Sequence, residues 1–314
     1  MALVGVNAPY LQGAYGHDLA PSGRTPDWPV AFTPMGAYRP LIEAAELGLG
    51  AVRLWLCENG EGLRTEGGTL VGVYPELLEA IDVFQEAAAL HGVRLYWSLL
   101  DGNAVAREGD PLTRSILSDA DQRARFAECV VGPVAERLDP SLTVALEIVN
   151  EPETATAACI ADSAEAQPGV VPVEWSEIGA TLRAAARAVG ERHRVTAGTM
   201  HVFLRDLWAA EPELSAVDVH VYHPEGGLPS RDDLVRYVGD PAIGALPLLS
   251  GECGIPKETG SPGALVNYLF NADRAGYAAV FLWQLEGDLV DTGQPHRPFT
   301  ELAASLRHHL RPRD

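Results

Sequence analysis

Lysine is nearly absent from this chain of 314 residues: Lys257 is the only one, so almost every positive charge is an arginine. Schiff-base chemistry needs a lysine held inside a pocket, and Lys257 sits in a Pro/Gly-rich stretch beyond an apolar run, an unpromising place for one. Cysteine is scarce as well. Cys57, Cys129, Cys159 and Cys253 show neither C-x-x-C nor His-paired spacing, which argues against a zinc module and for thiols that stay reduced. There is no G-x-S-x-G elbow and no G-x-G-x-x-G turn, the usual marks of serine hydrolases and dinucleotide binders. Neither a cofactor nor a metal is therefore expected.

Long hydrophobic runs are missing too. None approaches the ~20 apolar residues of a membrane span, and Met1 leads into Leu3-Val4-Gly5-Val6 with no basic segment. The expectation is a cytoplasmic protein, or a secreted one if a leader has been removed. The formal charge of −20 argues against nucleic-acid and anionic-membrane partners and mildly favours a neutral ligand. Oligomeric state is not legible.

What the chain does have is a rhythm. Short apolar runs at 3–7, 51–56, 93–100, 143–149, 194–199, 216–222, 246–250 and 278–284 read as strands. Most are apolar on both faces, as parallel strands covered by helices are. Helical patterns lie between them at 40–47, 74–90, 121–138, 175–189, 231–238, 263–272 and 299–310, with a weak segment at 204–214. In the second of these, Leu78, Ile81, Val83 and Phe84 form the expected buried side. Eight strand–helix pairs without a composition break predict a single (β/α)8 barrel spanning 1–314. A doubly wound sheet is the runner-up, but Asn7-Ala8-Pro9-Tyr10 is not a phosphate turn. Long connections follow the first, third, fourth and eighth strands, which puts them all at the C-terminal face, where barrel enzymes build their sites.

Several polar residues stand at the ends of those runs. Glu151, in Asn150-Glu151-Pro152, closes the fourth, and Pro152 should hold Glu151 extended. Glu252, in Gly251-Glu252-Cys253-Gly254, closes the seventh, its glycines letting backbone approach a ligand. Arg53 interrupts the second run and needs a carboxylate partner if buried; Glu147, deeper on the fourth, is a candidate. His220 and Tyr222 share one face of the sixth strand, whereas His220 and His223 point apart, which disfavours a metal pair. Trp283 ends the eighth run and can either pack or offer a stacking face. Tyr10, Tyr15, His17, Trp28 and Phe32 crowd the first loop, either as packing or as binding surface.

Taken in order, Arg on strand two, Asn-Glu on four, His-x-Tyr on six, Glu on seven and Trp on eight, the pattern resembles the (β/α)8 retaining glycosidases. It is most similar to glycoside hydrolase family 5, which contains cellulases and β-mannanases. The resemblance implies Glu151 as acid/base and Glu252 as nucleophile, with Asn150 on the sugar 2-hydroxyl and Arg53 and Tyr222 hydrogen-bonded to the nucleophile. It implies His220 lining the site, Trp283 as sugar platform and a cis peptide at Trp283–Gln284. The family's cellulases usually carry a histidine after strand three. Here Ser98-Leu99-Leu100-Asp101-Gly102-Asn103 offers Asp101 or Asn103 as sugar contacts instead.

The expected reaction is double displacement on a β-linked oligosaccharide or glycoside with net retention. Arg53 should keep Glu252 ionised, and a neighbouring anion with partial burial should raise the Glu151 pKa. The alternatives are a transglycosylase using the same residues and a non-catalytic carbohydrate-binding barrel.

Overall fold

Period-two alternation in the strands sorts side chains to two different interiors. In the computed structural model, which describes residues 1–9, 11–12, 18–21, 30–254 and 262–285, eight parallel strands close into a barrel. Counting barrel strands only, these are β1 Leu3–Asn7, β2 Ala51–Trp55, β3 Arg94–Asp101, β4 Thr143–Asn150, β5 Val195–Met200, β6 Val217–Tyr222, β7 Leu248–Gly254 and β8 Ala279–Leu282. Each pairs with its neighbours in sequence, and β8 returns to β1. The predicted barrel stands.

Inside the barrel, Ala51, Tyr96, Ala145, Leu249, Ala279 and Phe281 form a small apolar floor. Two residues further along β2, β4 and β6 come Arg53, Glu147 and Asp218, all buried. A step of two keeps side chains on one face, so the floor gives way to a charged layer and then to the open mouth. Outward-facing residues such as Val52, Leu54, Leu146 and Ile148 join the larger core beneath the helices.

The helices follow their sequence signals. Pro34–Glu46 and Pro75–His91 both start with proline in the first turn, and Gly92 ends the second at φ 67°, the left-handed conformation that glycine adopts freely. On Pro75–His91 the buried side is Leu77, Ala80, Ile81 and Phe84, continuing through Ala87 and Ala88. Leu78 and Val83 are only partly buried, because the face that meets the barrel is turned by one residue from the predicted one. The segment predicted at 121–138 is Ala120–Phe126 and Gly132–Arg137 joined through a π turn at Ala127–Val131. Trp175–Val189, Arg231–Val238 and Pro262–Ala275 match the periodic segments, and the weak 204–214 pattern forms the short helix Leu204–Ala210. The expected helix at 299–310 lies outside the described residues, as do Tyr10, Tyr15, His17, Trp28 and Lys257. Phe32 packs near Phe84, with ring centroids 6.0 Å apart.

Three departures concern the mouth. Strand β7 runs to Gly254 rather than ending at 250, so Glu252 lies within the sheet. An antiparallel hairpin, Leu63–Glu66 with Thr69–Val73, fills the connection after β2; it was not among the predicted strands. The connection after β3 is ordered into two short helices, Gly102–Glu108 and Pro111–Ser118. Pairing also shifts register between β4 and β5 at Glu147/Asn150, β6 and β7 at Asp218/His220, β7 and β8 at Val280/Leu282, and β3 and β4 at Leu95/Tyr96. Such irregularities re-aim side chains beside functional sites.

One close packing makes the fold testable away from the mouth. A methyl group on Gly179 would overlap the Ala210 carbonyl where Trp175–Val189 meets Leu204–Ala210. Gly179→Ala is expected to cost about 1–3 kcal/mol through overpacking, read as a lowered thermal midpoint.

Candidate active site

Registration alone brings the polar residues together. Asn7 is paired with Arg53, Asp101 with Asn150, Asn150 with Gly198, and His220 with Glu252. Side-by-side strands in a parallel barrel thus deliver one ring of chemistry from residues spread over most of the chain.

Arg53 sits at its centre, fully buried. Its Nε donates to Glu147 Oε2 at 3.1 Å. Nη2 donates to the same oxygen and to Asn150 Oδ1, each at 2.6 Å. Nη1 donates to Asn7 Oδ1 at 2.8 Å and to Glu252 Oε1 at 2.9 Å. A guanidinium has five N–H bonds, and all five are used. Its Cζ also lies 4.2 Å from the Trp55 ring centroid, a cation–π contact. Arg53 therefore pairs with Glu147, as a buried arginine required, and with Glu252 as well.

Glu252 accepts a second bond, from the Tyr222 hydroxyl at 2.8 Å. The glycines around it make room for protein rather than for ligand. A methyl group at Gly251 would lie 2.7 Å from Asp218 Oδ2, and one at Gly254 would lie 2.6 Å from Tyr222 Cε1. This replaces the expectation that these glycines admit a ligand to the backbone.

Glu151 is not extended. Its φ and ψ are 42° and 56°, a left-handed conformation costing a non-glycine residue about 1–2 kcal/mol. Pro152 disfavours the right-handed helical region but does not set the outcome, because the turn is fastened elsewhere. Glu151 N donates to Gly198 O at 2.8 Å, and the Glu151 carbonyl accepts from Thr154 N and Oγ1 at 3.0 and 2.7 Å. Strain of this kind persists where surrounding bonds over-determine it. The turn leaves the Glu151 side chain partly exposed, facing His220 Nδ1 at 3.0 Å and accepting from Asn103 Nδ2 at 3.2 Å. One oxygen of Glu151 and one of Glu252 lie within 4.8 Å of each other.

Asp101 and Asn103 join the site in a supporting geometry. Asp101 Oδ1 accepts from Asn103 N, Asn103 Nδ2 and Asn150 Nδ2. It thereby orients both amides. Asn150, Glu151, Asp101, Asn103, Tyr222, Glu252 and Trp283 all line one cavity of about 480 Å3. Trp283 stands edge-on to Trp55, with centroids 5.9 Å apart, and Trp283–Gln284 is cis, as the resemblance implied.

Proton placement differs from expectation. Burial alone would depress the His220 pKa, but the charges of Glu252 and Glu151 outweigh it and push it up to about 10. For Glu151, burial favours the neutral acid, yet the bond and charge of His220, helped by Asn103 and Arg53, bring its pKa below the usual carboxylate value. Burial, with Glu151 adding, lifts Glu252 above that value against the pull of His220, Arg53 and Tyr222. The unliganded site thus stores its proton on His220, against an anionic Glu151, not on Glu151 itself. The raised Glu151 pKa expected from sequence is corrected; Arg53 does pull Glu252 toward its ionised form, although burial and Glu151 outweigh that pull.

Beneath His220 lies a second layer. His220 Nε2 is buried without a hydrogen bond, and a methyl group on Gly198 would overlap both it and Glu147 Oε1. Tyr96 donates to Asp218, and Gly251 N donates to Asp218 Oδ1 at 2.5 Å. Two triads, Glu147–Asp218–His220 and Glu151–His220–Glu252, offer ligand atoms within 4.8 Å of one another. Either would compete with a proton for the same histidine.

Four residues of this centre escaped the sequence reading. Asn7 passes its amide nitrogen to the Gly251 carbonyl at 3.0 Å, and its signal was the same as for Arg53: a polar residue in an apolar run. Asp218 is two residues before His220, on the same face. Glu153, fully buried, accepts from Met200 N at 2.6 Å and Thr199 Oγ1 at 2.7 Å, tying the turn after β4 to β5. Glu58, lining the cavity, comes from a connection with no local signal.

A pair of glutamates at the C-terminal mouth of a (β/α)8 barrel, Glu252 held by a buried arginine and Glu151 by a buried histidine, is the arrangement that defines this centre. The solved structures that the chain resembles share its fold. An endo-1,4-β-mannanase from Eisenia fetida superposes with TM-score 0.70 at 17% identity, covering 100% of this chain and 92% of that one. A β-mannanase from the blue mussel Mytilus edulis gives 0.66 at 19%, with coverage of 88% and 84%. A GH5_18 variant from Streptomyces cattleya, in complex with Manβ1-4GlcNAc, gives 0.64 at 14%, with 100% and 82%. No family model and no curated protein sequence matches the chain.

Two outcomes are expected. Removing Arg53 leaves Glu147 unpaired in the core, so Arg53→Ala should lose about 3–5 kcal/mol in urea unfolding. Arg53→Lys should restore little of it, since an ammonium has three donors in the wrong geometry. Stability should also fall as pH rises. His220 is raised from 6.5 to about 10, and Glu153, mainly by burial and then by Glu151, from 4.5 to about 8. A group with a raised folded pKa contributes fully below its unfolded value and loses that contribution on passing its folded value. The losses therefore span 4.5 to about 8 for Glu153 and 6.5 to about 10 for His220, and thermal midpoints measured across this range should decline.

Proposed function

We propose that the protein is a retaining β-glycoside hydrolase, with Glu252 as nucleophile and Glu151 as acid/base. The observation that carries this is the gap between the two carboxylates, with oxygens within 4.8 Å of each other. Retaining enzymes hold the pair about 5–5.5 Å apart, and inverting ones leave about 6.5–9.5 Å for a water. The barrel fold shared with β-mannanases, and the GH5_18 protein bound to Manβ1-4GlcNAc, support a β-linked manno- or gluco-configured sugar as substrate.

The protons balance on the residues present. His220 Nδ1 passes its proton to Glu151, leaving a neutral imidazole and a carboxylic acid. Glu252 attacks the anomeric carbon as Glu151 protonates the departing oxygen, so the glycosidic bond breaks and an ester to Glu252 forms. Glu151 then removes a proton from water, whose oxygen bonds to the anomeric carbon and displaces Glu252 as a carboxylate. Glu151 returns the proton to His220 and is itself restored as a carboxylate. Arg53 and Tyr222 hydrogen-bond Glu252 at 2.9 and 2.8 Å, stabilising its charge as it leaves. Trp283 offers an apolar ring to the sugar, and Asn150, fixed by Arg53 and Asp101, lines the same cavity.

NMR of the first-released anomer from an aryl β-mannoside or β-glucoside should show retention; an inverted first product would falsify the mechanism. Glu252→Gln should lower turnover by about 10³-fold or more. His220→Gln should move the alkaline limb of the rate profile to lower pH.

A further inference from the structure

The end of the barrel opposite the carboxylate pocket holds a cavity of the other sign. It has a volume of about 440 Å3, and Arg94, Thr143, Glu191, Arg192 and Arg194 are among the residues that line it. Arg94 and Thr143 begin β3 and β4, and Arg194 immediately precedes β5. Asn150 stands at the other end of β4, roughly 20 Å away at about 3.3 Å per residue. This space is therefore separate from the centre around Glu151.

Its charge runs against that of the chain. Asp and Glu outnumber Lys and Arg by 43 to 23 overall, yet here three guanidiniums meet a single carboxylate, Glu191. Arg192 has a partner outside the cavity, Glu136 at 3.5 Å. Neither Arg94 nor Arg194 is ion-paired among the described residues. Arg94 donates from Nη2 to Thr143 O at 3.0 Å, while its buried Nε finds no acceptor there. Arg53, by contrast, spends all five of its N–H bonds. Burial and then the charge of Arg194 lower the Arg94 pKa, so the two cations disfavour each other. Helix Trp175–Val189 ends beside the cavity, but its last turn already carries Arg187 to meet the negative end of its dipole. Two like charges brought together without a counterion are a cost that a bound anion would offset.

We propose that this cavity binds a phosphate group between Arg94 and Arg194, either as inorganic phosphate or as the end of a small phosphorylated molecule. A guanidinium presents parallel N–H donors that match two phosphate oxygens, and both arginines have donors to spare. The volume exceeds what one phosphate fills and falls in the range of small-ligand pockets, which begin at about 300 Å3. The site is independent of the glycosidase reading, since none of its residues belongs to the carboxylate pocket.

Calorimetry of the full chain with inorganic phosphate, glucose 6-phosphate and glucose provides the test. At least one of the two phosphates should bind far more tightly than glucose, and added NaCl should weaken that binding, as it does for exposed charge contacts. A sugar phosphate that binds no tighter than the free ion would identify inorganic phosphate as the ligand; a tighter one would identify a phosphorylated molecule. Arg94→Gln and Arg194→Gln should each lower the affinity about tenfold or more, the weight of one hydrogen bond to a charged group. Arg194 is exposed, so Arg194→Glu reverses its charge without touching the core. Saturating phosphate should raise the thermal midpoint of the native protein and not that of Arg194→Glu. No binding of either phosphate at millimolar concentration, glucose binding as tightly as its phosphate, or phosphate binding that survives both arginine substitutions would overturn the proposal. So would a midpoint that falls in Arg194→Gln while phosphate leaves the native protein unchanged, because the arginine would then serve the fold alone.

Discussion

The Arg53 guanidinium is the one interaction on which this barrel mouth depends. Burying an unpaired guanidinium is prohibitive, and here all five of its N–H bonds reach acceptors: Glu147, Asn150, Asn7 and Glu252. Those acceptors come from β4, β1 and β7, so the same bonds that satisfy the charge fix three other strands around β2. The cost of one buried cation thus becomes positional accuracy for a carboxylate. A lysine could neutralise the charge but not point at four partners at once.

Around that hub, space is made by leaving side chains out. Gly198 and Gly251 sit where a methyl group would strike His220, Glu147 or Asp218, and Gly254 where it would strike Tyr222. The left-handed turn at Glu151 is a local cost met by bonds to Gly198 and Thr154. Register shifts in the adjoining strand pairs fall at the same level. Regular geometry is given up where the polar side chains converge, and once more at the far end of the sheet, between β3 and β4.

Charge is distributed so that a single histidine arbitrates between two glutamates. His220 has Nδ1 3.0 Å from Glu151 and 3.8 Å from Glu252, with Glu147 and Asp218 beneath it. Holding a proton there places a positive charge at those distances from the two carboxylates. An uncharged sugar entering the pocket would displace water and so strengthen every one of these interactions.

Much of this was legible in residues alone. Runs apolar on both faces determined parallel strands, their alternation with helical periods determined the barrel, and polar residues at strand ends marked Arg53, Asn150, Glu151, His220, Tyr222 and Glu252. The place of Glu58 and the part played by Asn7 were hidden, because each depends on contacts between segments far apart in the chain. The Leu63–Val73 hairpin was not predicted, although its Gly67-Gly68 turn is a local signal. The backbone of Glu151 shows the same division. Its neighbour Pro152 could only limit the options, while bonds to β5 and Thr154 chose among them. Proton location is the furthest from sequence, since it is set by the sum of burial and four surrounding charges. Local pattern determined which residues face inward; only closure of the sheet decided which of them meet, because register, not sequence distance, sets who stands beside whom.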